Sequence, residues 1–215
     1  MSRLTIALPK GRMFDPVVQI LQKAGIVGRD LDDSSRKLVL KDEKKDIDII
    51  LSKPADVHTY VEHGVADLGV GGKDVLLEAR ANVAEILDLG LGACRLVVAL
   101  PKDKGITSLD QLPPTGIVAT KYINVAQSFF DKQGIQVETV KLNGSIELAP
   151  IIDLSDMIVD ITSTGTTLRE NNLIEIAEIA KSTARLIVNR VSYKTHHNRI
   201  KYIADKVDEV IKNNS

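Results

Sequence analysis

The stretch that most constrains this chain is Met157-Ile158-Val159-Asp160-Ile161-Thr162-Ser163-Thr164-Gly165-Thr166-Thr167-Leu168. Its apolar start, Met157 to Ile161, broken only by Asp160, has the length and bounding of a buried strand. Six residues follow that are all hydroxyl-bearing or glycine, and Leu168-Arg169-Glu170 then opens a helical turn. A strand, a Thr/Gly loop and a helix start together make an anion cradle. Backbone N–H groups and Thr hydroxyls point at a phosphate, and the helix N-terminus favours its charge. Gly165 lets the backbone turn tightly with no Cβ in the way. Asp160 stands where a carboxylate can accept hydrogen bonds from vicinal sugar hydroxyls, so a sugar phosphate is the natural ligand. The alternative is a Thr-rich surface turn with Asp160 exposed or capping a helix, although six small polar residues are many for an ordinary turn. The spacing matches neither a Walker loop, which ends Gly-Lys-Ser/Thr, nor a dinucleotide fingerprint.

The rest of the chain alternates short strands with helices, which argues an α/β sheet carrying its ligand loops at the carboxyl ends of strands. Strands are predicted at Leu4 to Leu8, Lys37 to Leu40, Ile47 to Leu51, Asp67 to Val70, Leu96 to Leu100, Gly116 to Ala119, Gln136 to Lys141, Ile174 to Ile179 and Arg185 to Asn189. Helices are predicted at Phe14 to Ala24, Ala55 to His63, Val75 to Ala79 and Val125 to Lys132, and one long amphipathic helix over Tyr193 to Lys212. Basic groups recur just after strands: Lys10 and Arg12, then Lys53, then Lys73. Each alone reads as a solvated surface charge; their repeated position raises a site. Asp67 and Asp74 in the same neighbourhood can contact a base or ribose, and Asp74 can equally serve as a helix N-terminal charge.

The 215 residues allow one domain or two small lobes, and no Gly/Ser linker divides them. Two lobes would then be joined by crossing strands, near Leu89 and near Ile179. A net charge of −1 gives no general attraction to nucleic acid or to an anionic membrane. Aromatic content of 3% without Trp leaves few platforms for stacking bases. The single cysteine, Cys94, excludes an internal disulfide framework and a Cys-cluster zinc site. His196 and His197, adjacent on a helix, point about 100° apart and do not chelate as an i, i+4 pair would. With no signal segment and no membrane-spanning stretch, the expectation is a cytoplasmic protein.

Read together, several segments resemble ATP phosphoribosyltransferase of histidine biosynthesis in its short form. They are Leu8-Pro9-Lys10-Gly11-Arg12, Ala66-Asp67-Leu68-Gly69, Gly72-Lys73-Asp74, Cys94 to Ala99, Ala119-Thr120-Lys121-Tyr122, and the block from Leu142 to Pro150 continuing at Val159 to Leu168. The resemblance spans nearly the whole chain. It departs at Ile123, where the family usually has Pro, at Gly71 and Asp153, and at Lys53, where Arg is frequent and Lys loses the bidentate fork. It implies a two-lobed α/β fold like the type II periplasmic binding proteins, with a cleft active site. Residues 1–88 plus 180–215 would form one lobe on the ATP side, and 89–179 the other, holding phosphoribosyl pyrophosphate (PRPP).

The resemblance further implies ATP and PRPP as substrates, Mg²⁺ carried by PRPP or pyrophosphate, and a homodimer within a hetero-oligomer containing a regulatory subunit related to histidyl-tRNA synthetase. On that reading Thr162, Ser163, Thr164, Gly165, Thr166 and Thr167 hold the PRPP 5′-phosphate. Glu147 and Asp160, thirteen positions apart, hold the ribose hydroxyls and stabilise its developing cation. Lys10, Arg12, Lys53, Asp67, Gly72, Lys73 and Asp74 form the ATP side, with Lys10 and Arg12 also facing pyrophosphate. Two rivals stay open: a non-catalytic solute-binding module of the same shape, and another phosphoribosyltransferase. The commoner type of the latter carries paired acids before the loop, whereas here Val159 precedes Asp160.

Overall fold

The structure, a computed structural model, describes residues 3–28, 31 and 37–214. In chain order the elements are β1 (Leu4–Pro9), α1 (Phe14–Lys23), β2 (Val39–Asp42), β3 (Ile47–Ser52), α2 (Val57–Glu62), β4 (Leu68–Gly72), α3 (Lys73–Ala79), β5 (Ala84–Asp88), β6 (Cys94–Pro101), β7 (Thr115–Thr120), α4 (Ile123–Gln133), β8 (Gln136–Lys141), β9 (Met157–Thr162), α5 (Thr166–Glu170), β10 (Leu173–Ser182), β11 (Ala184–Val188), α6 (Arg190–Thr195) and α7 (His197–Asn214). A 3₁₀ stretch, Ile146–Ile152, precedes β9. The chain divides into two compact units. One comprises Met1–Leu76, Arg80–Gly92 and Thr183–Ser215, the other Leu77–Ala79 and Ala93–Ser182.

The first unit is built on a six-stranded sheet in the order β2-β3-β1-β4-β11-β5. Strand β1 runs parallel to β3 and β4, while β11 pairs antiparallel with β4 and β5. Period-2 alternation sends Leu4, Ile6 and Leu8 of β1 into a core with Phe14, Val17 and Leu21 of α1 and Ile200, Ile203 and Val207 of α7. Ala7 faces the other way and packs with Val57 and Val61 of α2. Gly69 permits that second layer: a Cβ there would lie 2.7 Å from Val61 and 2.9 Å from Val57.

The second unit is a five-stranded sheet in the order β10-β6-β9-β7-β8, with β7 parallel to both β8 and β9. Both faces are covered, so β6 reads as one apolar run. Leu96, Val98 and Leu100 join Phe130 of α4 and Met157 and Val159 of β9. Val97 and Ala99 join Ile158 on the opposite face, with Ile146 of the 3₁₀ stretch and Leu168 of α5. Ile123 is the first residue of α4, a position that proline also suits.

Three expectations change. Units divide after Gly92 and Ser182 rather than near 88 and 179, because Leu89 N–H donates to Ala184 O and Ala184 N–H to Leu91 O (both 2.9 Å), tying 89–92 to β11. Strands β5 and β10 therefore each lie wholly within one unit. The long C-terminal helix is in fact two, since His196 leaves helical geometry (φ −118°, ψ 27°) between α6 and α7. His196 and His197 thus straddle a break rather than follow one another along a continuous helix. Asn189, expected at the end of a strand, is instead the N-cap of α6; its side chain accepts from Val191 N–H and Ser192 N–H.

Candidate active site

In the second unit, β7 and β9 are held level at their carboxyl ends by Thr120. Its buried hydroxyl donates to Val159 O at 2.6 Å and accepts from Tyr122 N–H at 2.8 Å. Thr120 pairs with Val159, so the next residues in register are Lys121 and Asp160. Asp160 shares Ile158's face of β9, the face that Ile146 and Leu168 cover. Glu147 follows Ile146 and lies close enough to Asp160 to act on its charge. The Asp160 carboxyl is pushed above the usual carboxylate range, mainly by burial and further by Glu147. Ile161 N–H, donating to Asp160 Oδ1 at 2.8 Å, and the Lys121 ammonium oppose that shift. Backbone strain accompanies the pair: Ser145, two residues before Glu147, has φ +48°.

The Thr/Gly loop leaves β9 at Thr162, two residues past Asp160. Gly165 turns it at φ +73° and donates its N–H to Thr162 Oγ1 at 2.9 Å. Thr164 Oγ1 and Thr166 Oγ1 share a hydrogen bond of 2.9 Å. Ser163, Thr164, Thr166 and Thr167 are exposed, so their hydroxyls open to solvent. Arg169, in the last turn of the short α5, folds back over the loop and donates to Thr164 O at 2.9 Å and to Thr166 Oγ1 at 3.0 Å. Lys121 and Arg169 are the two cations of this site that the sequence reading did not assign. Strand register exposes the first; the i, i+3 spacing from Thr166 is a signal for the second.

In the first unit, three parallel strands end at one edge. Pro9 pairs with Ser52, so Lys10 and Lys53 are the next residues on neighbouring strands, and Lys10 N–H donates to Ser52 O at 2.8 Å. Among the described residues the side chains of Lys10, Arg12 and Lys53 have no hydrogen-bond or ion-pair partner. Gly72 ends β4 at the same edge, and Lys73 and Asp74 follow it as the start of α3. Lys73 Nζ pairs with Glu85 at 2.6 Å, and Asp74 is buried with its carboxylate against Gly72, where a Cβ would collide with it. Asp67 differs from its expectation. Its Oδ2 accepts from Thr5 N–H at 2.8 Å and its Oδ1 from Ser192 Oγ at 2.7 Å, so the carboxylate clamps β1 to α6.

A recess of about 940 Å³ in the first unit, lined by Lys44, Lys45, Lys194, His196, Arg199 and Tyr202 among others, contains none of the expected site residues. Among the described residues, no group of three or more His, Cys, Asp or Glu is arranged to hold a metal ion, and no helix is long and apolar enough to cross a membrane.

Residues 53–209 match the family model described as HisG: ATP phosphoribosyltransferase. An ATP phosphoribosyltransferase of Caldanaerobacter subterraneus subsp. tengcongensis is 56% identical over 214 residues, covering 98% of this chain and 99% of the relative. That of Halothermothrix orenii is 51% identical over 214 residues, covering 99% and 96% respectively. Among solved structures, the ATP phosphoribosyl transferase (HisG:HisZ) complex from Thermotoga maritima contains a chain 38% identical at a TM-score of 0.85, with 98% and 99% coverage. The substrate-binding protein of an amino acid ABC transporter matches at a TM-score of 0.59 with 16% identity, covering 98% of this chain and 92% of its own, a likeness of fold alone. The chain belongs to the ATP phosphoribosyltransferase family.

Proposed function

We propose that this chain is a catalytic subunit joining N1 of ATP to C1 of the PRPP ribose, releasing pyrophosphate, as the first step of histidine biosynthesis. The observation that carries this reading is the meeting of Asp160, Glu147 and the Thr/Gly loop at the carboxyl edge of one sheet. N1 of adenine has a free lone pair and needs no base before it attacks. The difficult event is breakage of the bond from C1 to pyrophosphate while positive charge grows on the ribose. Asp160 and Glu147 face that charge and accept hydrogen bonds from the ribose hydroxyls. The hydroxyls and amides of Thr162 to Thr167 hold the 5′-phosphate. Holding both reactants aligned supplies roughly 7–11 kcal/mol, and charge stabilisation adds to it.

Lys10, Arg12 and Lys53 are assigned to the phosphates of ATP and to departing pyrophosphate, with Gly72, Lys73 and Asp74 beside them; Asp67 keeps its clamping role. Mg²⁺ would be carried by PRPP and pyrophosphate and would help neutralise the leaving charge, which suits a small hard ion that retains its waters. The relative from Thermotoga maritima is described as a HisG:HisZ complex. That likeness supports a hetero-oligomer with a second subunit; the homodimer within it, and the partner's relation to histidyl-tRNA synthetase, are what the family resemblance implies. The test is pyrophosphate release from PRPP that requires ATP. Release without ATP, or none with the regulatory subunit present, would overturn the assignment.

A further inference from the structure

We infer that Arg169 is a positioning residue that turns the Thr164–Thr166 hydroxyl pair into a net proton donor for the 5′-phosphate. The inference rests on the proposed assignment of this loop to PRPP. A guanidinium can only donate, so in its 3.0 Å contact with Arg169 Nη2 the Thr166 oxygen is the acceptor. Thr164 Oγ1 likewise accepts from Thr166 N–H, at 3.4 Å. The two hydroxyls, 2.9 Å apart, spend one hydrogen and one lone pair on each other. Two hydroxyls carry four lone-pair positions and two hydrogens. Three of those positions are therefore filled, and one hydrogen is left to point away from the pair.

That count does not depend on which threonine donates to the other. If Thr166 donates, Thr164 presents the remaining hydrogen; if Thr164 donates, Thr166 does. In both cases the pair offers a proton outward and has little capacity left to accept one. Such a pair favours an acceptor, an anionic oxygen above all, over a group that can only donate. Arg169 also anchors the loop backbone through Thr164 O at 2.9 Å and lies against Gly165, where a Cβ would sit 3.0 Å from Nη1. The Thr162 to Thr167 loop has no formal positive charge of its own, so Arg169 supplies the field that favours a phosphate.

The test is calorimetric titration of ribose 5-phosphate and, separately, ATP into wild type, R169K, R169Q, T166V and R169Q/T166V. Ribose 5-phosphate should bind R169Q and T166V about tenfold or more weakly. The double variant should be little worse than the worse single, because both remove the same link. R169K, which keeps the charge but cannot hold both acceptors, should fall between wild type and R169Q, and ATP affinity should stay within about twofold throughout. Unchanged sugar-phosphate affinity in R169Q, losses that multiply in the double variant, or an equal loss of ATP affinity would each overturn the inference. If R169Q does not fold, R169K decides: weakened ribose 5-phosphate binding with ATP affinity unchanged supports the relay, and wild-type affinity overturns it. Wild type that binds ribose 5-phosphate but makes no product from ATP and PRPP even with the regulatory subunit present would refute the reaction and leave this inference standing.

Discussion

The Thr120 hydroxyl donates to Val159 O at 2.6 Å where β7 and β9 run in parallel register, and the next residues of the two strands are Lys121 and Asp160. An ammonium thus stands by a carboxyl whose pKa burial raises, and it opposes that rise. The balance among Lys121, Glu147 and burial sets the pH at which Asp160 carries its charge.

Asp160→Asn should lower turnover about 100-fold or more while leaving the fold intact. The sign of the stability effect follows from linkage. A carboxyl whose folded pKa is raised contributes stability below its unfolded pKa, and that contribution is lost as pH rises through the folded pKa. At neutral pH the neutral Asn therefore melts at the same temperature as wild type or higher. A thermal melt beside a rate measurement checks both halves, and wild-type turnover would remove Asp160 from the mechanism.

Neighbouring charges should move the acid limb of the pH profile of kcat/KM for PRPP in opposite directions. Lys121→Met removes a charge that lowers the Asp160 pKa, so the limb moves to higher pH. Glu147→Gln removes one that raises it, so the limb moves to lower pH. Both variants will be slower, so the position of the limb is the readout. Shifts of the same sign would contradict the arrangement.

Asp67→Ala should cost about 2–4 kcal/mol, since it strands Thr5 N–H and the Ser192 hydroxyl in place of two charge-assisted bonds. A denaturant titration measures the loss. Full stability with weakened ATP binding would instead return Asp67 to the substrate side.

Asn189→Ala should destabilise by about 2–3 kcal/mol. It removes the cap of α6 together with Nδ2 donation to Val61 O at 2.8 Å and Glu62 O at 3.2 Å. Asn189→Asp keeps the cap but loses those donors, so it should fall between Ala and wild type.

What was legible in the sequence is local. Met157 to Thr162 reads as a strand because its covered faces leave an apolar run, and Gly165 marks the turn because its φ is positive. Lys10 and Lys53 announce themselves by following strands. Partners brought from far along the chain were not legible. Asp67 meets Ser192 across 125 positions, and Lys121 reaches Asp160 only through the parallel register of β7 and β9. Ile200, Ile203 and Val207 carry the helical period that identified α7. Nothing in that period marks the change of backbone angle at His196, because the apolar stripe begins only after it.

The most direct test of the central claim is formation of phosphoribosyl-ATP by purified chain given ATP, PRPP and Mg²⁺, with pyrophosphatase to draw the reaction forward. It is run with and without the regulatory subunit. We expect product only when both substrates are present, faster with the partner, and about 100-fold slower or more in Asp160→Asn. Measurable PRPP binding with no product in either arm would contradict the account and make this chain a binding module.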